Sequence, residues 1–229
     1  SQYFDTKLYT GNGSTQTVSG LNFSPSFVWG KLRSTSSYHR LHDAVRGSDN
    51  TLASNVTAAE VTGNGIVSFT SDGWTMDSGT NINQVYPYAA WAWDAGSSTV
   101  TNTDGSISSQ VRANPSAGFS IVSWTGTGAT GSIGHGLNTK PSIVITKNRS
   151  ISSVWVVDLI GVLSSGTDYM LLNSTQAANS GGTTATSSVL NILQYSDRNG
   201  NGNNMLSYCF APVESYSAMG SYVGNGSAD

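Results

Sequence analysis

Phe27-Val-Trp-Gly-Lys31 and Ile143-Val-Ile-Thr-Lys147 are β-branched and aromatic runs, each closed by a lysine. Runs of that length and composition form strands. Outward from them, further blocks pair off in the same order. Tyr9-Thr-Gly-Asn-Gly13 answers Trp124-Thr-Gly-Thr-Gly128, Gly20 through Pro25 answers Gly136 through Pro141, and Arg33 answers Arg149. Leu52-Ala-Ser-Asn-Val-Thr-Ala-Ala59 answers Leu171-Leu-Asn-Ser-Thr-Gln-Ala-Ala178, and Ala89-Ala-Trp-Ala-Trp93 answers Leu206-Ser-Tyr-Cys-Phe210. Ordered self-similarity is the mark of tandem modules. The expected architecture is all-β, with two tandem homologous antiparallel sandwich modules at 1–96 and 118–220, each with its own core. Residues 97–117 read as a connecting segment with one short strand, Ser106 to Val111. Tyr222-Val-Gly-Asn-Gly-Ser227 repeats Tyr9 to Ser14, so 221–229 reads as the start of a third copy or a closing strand.

Further strands are expected at Ile66–Thr70, Phe119–Trp124 and Val154–Val157. Asn-Gly at 12–13, 64–65, 199–200 and 225–226 predicts turns that favour positive φ. Short helical turns are expected within Thr51–Val61 and Ser174–Ala178.

Composition narrows the function. The chain of 229 residues holds 38 Ser, 24 Thr, 19 Asn and 26 Gly, and only 10% of it is charged. An average globular chain is about 25% charged. Polar surface must therefore come from hydroxyls, amides and backbone. Ten basic residues against thirteen acidic ones leave no basic footprint for nucleic acid. No apolar run is long enough to insert into a membrane. The lone Cys209, between Tyr208 and Phe210, reads as a buried thiol and rules out an intrachain disulfide.

Several of these blocks carry a family resemblance: 9–15 (YTGNGST), 38–47 (YHRLHDAVRG), 68–76 (SFTSDGWTM), 89–96 (AAWAWDAG), 117–137 (AGFSIVSWTGTGATGSIGHGL) and 207–229. Together they resemble the repeated modules of tail-fibre-like and other virion structural proteins of tailed bacteriophages, many of them marine. The resemblance covers nearly the whole chain. It implies a concanavalin-like or jelly-roll β-sandwich and a virion protein on the extracellular side of the tail. It brings no catalytic residue. It implies other virion proteins as partners and allows a homotrimer, although the sequence has no heptads to enforce one.

The densest polar constellation is Tyr38 to Gly47. On a strand, His39, Leu41 and Asp43 point one way, and Arg40, His42 and Ala44 the other. One reading makes His39, Arg40, His42, Asp43 and Arg46 a ligand-binding loop with arginine as a fork donor. The other makes them an internal Arg–Asp network at a sheet edge. Trp74 reads as a core aromatic or a sugar-stacking platform, and His135 as a turn residue or a ligand contact. Tyr88, Trp91 and Trp93, with Tyr208 and Phe210, read chiefly as core. The alternating Lys31/Arg33 and Lys147/Arg149 pairs read as a solvated face.

Asp197, Asn199 and Asn201 fit the opening of a calcium loop, but Tyr208 stands where the closing glutamate belongs. The choices there are a weak calcium site or a plain hairpin loop; no other cofactor is expected. His39, His42 and Asp43 offer too few ligands for zinc. Only two glutamates exist, Glu60 and Glu214, and no two carboxylates stand at i, i+2. A glycosidase needs a matched carboxylate pair. The expectation is a non-catalytic adhesion module that binds a host-surface glycan or receptor. The alternatives are a polysaccharide depolymerase, and a spacer or capsid decoration protein.

Overall fold

A computed structural model describes residues 2–163 and 166–227. The first half contains β1 (Phe4–Thr10), β2 (Gln16–Val18), β3 (Phe27–Leu32), β4 (Arg40–Asp43), β5 (Asn50–Ala53), β6 (Val61–Thr62), β7 (Ser68–Thr70), β8 (Gly73–Met76) and β9 (Pro87–Trp93). The second contains β10 (Val100–Asn102), β11 (Ser109–Asn114), β12 (Phe119–Thr125), β13 (Gly131–Gly134), β14 (Ile143–Asn148), β15 (Trp155–Ile160), β16 (Thr167–Leu171), β17 (Asn179–Ser180), β18 (Thr184–Ala185), β19 (Val189–Ile192) and β20 (Asn204–Phe210). The one helix among the described residues is α1, Ser196–Asn199. The fold is all-β and its strand pairs are antiparallel.

Two large sheets dominate. One has the order β1-β9-β3-β4-β5-β6, and the other β10-β11-β12-β20-β14-β15-β16-β17. From β12 onward the second traces the strand order of the first. The small sheets β2-β8-β7 and β13-β19-β18 correspond in the same way. Residues 97–117 do more than connect: β10 and β11 widen the second large sheet beside β12. The strand expected over Ser106–Val111 lies instead at Ser109–Asn114 and pairs with β12, while the chain at Ile107 makes only an isolated bridge to Ile133.

Three cores hold four layers together. Val28, Leu32, Tyr88, Ala90 and Ala92 face Val18, Trp74 and Met76 of the first small sheet. Val122, Trp124, Val144 and Cys209 face Ile133, Leu190 and Ile192 of the other. The opposite faces of the two large sheets pack on each other through Phe27, Leu41, Leu52, Phe119, Ile121, Trp155, Leu206 and Tyr208. Two self-contained cores were expected, and this third one joins the halves. Aromatic rings fill it: Phe27 stacks on Tyr208 at 4.3 Å, and Phe119 lies 4.9 Å from Phe210. Trp91 and Trp93 share a face as expected, and Trp93 packs into this seam.

Two expected helical turns are absent. Thr51–Val61 begins as β5 and continues without helix, because Glu60 is drawn into ion pairs described below. Ser174–Ala178 is also non-helical. Among the Asn-Gly turns, Gly13 has φ +71°, the left-handed conformation a glycine adopts without a Cβ clash. Gly65 has no such φ; there a Cβ would meet the backbone of Ser48 and Asp49, so the glycine serves close chain approach.

Candidate functional site

Most of the ionisable groups singled out in the sequence are engaged internally. Asp43 Oδ1 accepts from the amides of Val45 and Arg46 at 3.0 and 2.9 Å. Its Oδ2 accepts from Arg46 Nε and from the Tyr208 hydroxyl at 2.7 Å. Arg46 Nη1 donates to Glu60 Oε2 at 2.7 Å, and Nη2 to the Leu41 carbonyl at 2.9 Å. Arg149 completes the chain with a fork onto both Glu60 oxygens. Asp43, Arg46, Glu60 and Arg149 thus alternate in sign, and Tyr208 and Arg149 come from the second half. The network is the Arg–Asp alternative of the sequence reading, placed between the sheets and not at an edge.

Burial alone would raise the Asp43 carboxyl, but the Arg46 charge and its hydrogen bonds outweigh it and hold Asp43 below the ordinary value of 3.8. A carboxyl held low when folded binds fewer protons than in the unfolded chain at acid pH. Its stabilisation is complete above 3.8 and is lost as pH falls through the folded value. Urea midpoints measured from pH 7 to pH 2 should therefore fall steeply at the acid end, and less steeply in Asp43→Asn. Parallel curves would remove Asp43 as the cause.

His42, Asp43, Arg46, Trp74 and His135 are all buried, which corrects their reading as ligand contacts. His42 points into the first half, 3.5 Å from the Thr51 hydroxyl, and burial pulls it down to about 3. Trp74 lies in the core and offers no stacking face. His135 Nδ1 accepts from the Leu137 amide at 3.2 Å and fixes the turn there. The calcium reading also fails on partners. Asn199 accepts from Trp124 Nε1 and the Thr127 amide, and donates to the Thr127 hydroxyl and the Ala129 carbonyl. Its amide is fully committed, Asp197 lies in the first turn of α1, and Asn201 lies beyond it in the following turn. No group of three or more His, Cys, Asp or Glu suited to a metal occurs among the described residues. Cys209 is buried as expected, and burial pushes its thiol up to about 12.

The expected solvated face of Lys147 and Arg149 is likewise internal. Lys147 is fully buried and donates to the carbonyls of Thr57 and Ser153 at 2.9 and 2.6 Å, beside the Trp155 ring. Burial pulls its ammonium down to about 8.

Arg40 and His39 remain near the surface. His39 Nδ1 accepts from Trp29 Nε1 at 3.0 Å, which places its proton on Nε2. Burial, then the nearby Lys31 charge, lower its pKa. Arg40 lines a cavity of about 310 Å³ with Tyr38, Thr51, Val56 to Ala59, Val61 and Ser152. Because β4 alternates, His42 on the same side of the strand points deeper while Arg40, nearer the strand end, reaches this opening. Its half-buried guanidinium sits 4.8 Å from the Tyr38 ring centre and has no hydrogen-bond or ion-pair partner among the described residues. Desolvation lowers its pKa. The amides of Val56, Thr57, Ala58 and Ala59 also donate to nothing within the described chain. Ser152 of the second half donates to the Thr57 hydroxyl at 3.0 Å, leaving the Thr57 hydroxyl hydrogen free. The cavity is a cleft at the seam of the two halves, lined by Arg40 and by a segment whose amides are unpartnered within the described chain.

The fold and cleft define a layered antiparallel β-sandwich protein with a surface pocket that holds an arginine unpaired among the described residues. The chain belongs to the family described as Domain of unknown function (DUF7483), whose model matches residues 1–229. No curated protein and no solved structure matches the chain.

Proposed function

We propose that this chain is a non-catalytic adhesion module of a tailed-phage virion, carried on the outer side of the tail, that binds a host-surface glycan at the Arg40 cleft. The observation that carries the reading is the contrast between Arg40 and the other buried or half-buried ions. Asp43, Arg46, Glu60 and Arg149 satisfy one another, and Asp158 pairs with Arg198 at 2.9 Å. Groups committed in this way are poorly placed for acid–base work, which favours binding over turnover. Arg40 alone in that region presents an unsatisfied fork, beside a half-exposed tyrosine ring and free amides. Guanidinium forks and aromatic faces are the groups that hold sugars and their substituents in clefts on rigid scaffolds. The resemblance of the repeated blocks to phage tail modules supplies the setting and the partner class.

Adsorption of the purified chain to host cells tests this. Arg40→Ala should weaken adsorption about tenfold or more, the scale of a lost charged hydrogen bond. Its Tm should stay close to that of the parent, since Arg40 has no ion partner among the described residues. Undiminished adsorption would take the cleft out of the model, and oligosaccharide release from host polysaccharide would overturn the non-catalytic reading.

A further inference from the structure

We infer that the group seated on Arg40 is an oxyanion carried by a saccharide, either the carboxylate of an acidic sugar or a sulfate ester. This rests on the glycan-binding reading and narrows it. Arg40 is the charged side chain of the cleft lining, and no carboxylate stands in that lining. The nearby Asp43 and Glu60 are taken up by Arg46 and Arg149. Both Glu60 oxygens and both Asp43 oxygens are occupied, so neither neutralises Arg40. Lys147, a further cation, is bound to the carbonyl of Thr57, a residue of the cleft lining.

The donor pattern agrees with the charge. Five guanidinium hydrogens in a planar fork match the two oxygens of a carboxylate or sulfate. Residues 56–59 line the cleft, and their amides, unpartnered within the described chain, and the Thr57 hydroxyl are available as neutral donors. Backbone amides gathered in a concavity favour anions. A neutral hydroxyl would accept one hydrogen bond and leave the half-desolvated guanidinium without a counter-charge. A metal ion is disfavoured by the sign of the site.

Calorimetric titration of the full chain with matched oligosaccharides tests the inference. The probes are a polyuronate fragment and its carboxyl-reduced form, and a sulfated galactan fragment and its desulfated form. At least one anionic probe should bind, and its neutral counterpart should bind at least tenfold more weakly. Arg40→Gln should erase that preference without lowering Tm, and Arg40→Lys should restore part of it. Arg33→Gln, which removes an exposed arginine elsewhere, should leave it unchanged. Raising NaCl from 50 to 300 mM should weaken the anionic probe and spare any neutral binding. The arm that binds identifies carboxylate or sulfate. Equal affinity for charged and neutral forms, or an indifferent Arg40→Gln, would overturn the inference while glycan binding stands. No binding to any probe, combined with no adsorption to host cells, would sink both.

Discussion

Arg46→Met is expected to destabilise the folded chain by about 3–5 kcal/mol, the usual penalty for removing one partner of a buried ion pair. In a chain of this length that lowers Tm on the order of 10 °C. Arg46 satisfies Asp43 and Glu60 together, so its loss strands a fully buried carboxylate and halves the support of a second. Asp43 would keep its amide donors and the Tyr208 hydroxyl, but no cation. The double variant Asp43→Asn/Arg46→Met should cost less than the sum of the two single changes, because neither charge is then left alone. Thermal and urea unfolding of the four proteins in the cycle supplies the check. An Arg46→Met protein within about 1 kcal/mol of the parent, or strict additivity, would show that the network is incidental.

Much of this arrangement was legible in the sequence, and the gaps have physical causes. Phe119 to Trp124 reads as a strand and forms one to Thr125. The cluster from Tyr38 to Gly47 was visible as a concentration of ions. Its burial was not, because alternation along a strand gives two faces without saying whether both are covered. A signal for that existed. In β20, Met205 to Cys209 are all buried, and the run Leu206-Ser-Tyr-Cys-Phe210 carries no charged residue on either face. A strand without charges on either face suits cover on both sides. Lys147 misled for a related reason: its spacing with Arg149 is that of a solvated edge, yet the loop carrying Thr57 closes over it. The Ala58-Ala59-Glu60 stretch has helix-forming composition, but the pull of Arg46 and Arg149 on Glu60 outweighs a weak local preference. Arg40 was one of five polar candidates in its cluster, and only side-chain geometry could separate it from its buried neighbours.

The third core makes a second strong prediction: the halves stand or fall together. Cut apart, residues 1–96 would expose Phe27, Leu41 and Leu52 on one sheet, and residues 118–220 would expose Phe119, Ile121, Trp155, Leu206 and Tyr208 on the other. Each such side chain contributes roughly 1.5–3 kcal/mol on burial. The sum over either face rivals the roughly 5–15 kcal/mol of net stability that a domain possesses. The 1–96 piece would also lose Tyr208 and Arg149 from its ion network, and the 118–220 piece would lose the Thr57 carbonyl that holds Lys147. Neither piece is therefore expected to give a dispersed amide spectrum alone, and the full chain should unfold in one calorimetric transition. Within the full chain, Phe27→Ala should cost about 3–5 kcal/mol. Because Phe27 packs on Phe119 and Tyr208, that cost should reach across the seam. Hydrogen exchange should quicken in β12 and β20 as much as in β3. Two separate transitions, or exchange that quickens in the first half alone, would mean that the sandwiches fold as independent modules held side by side.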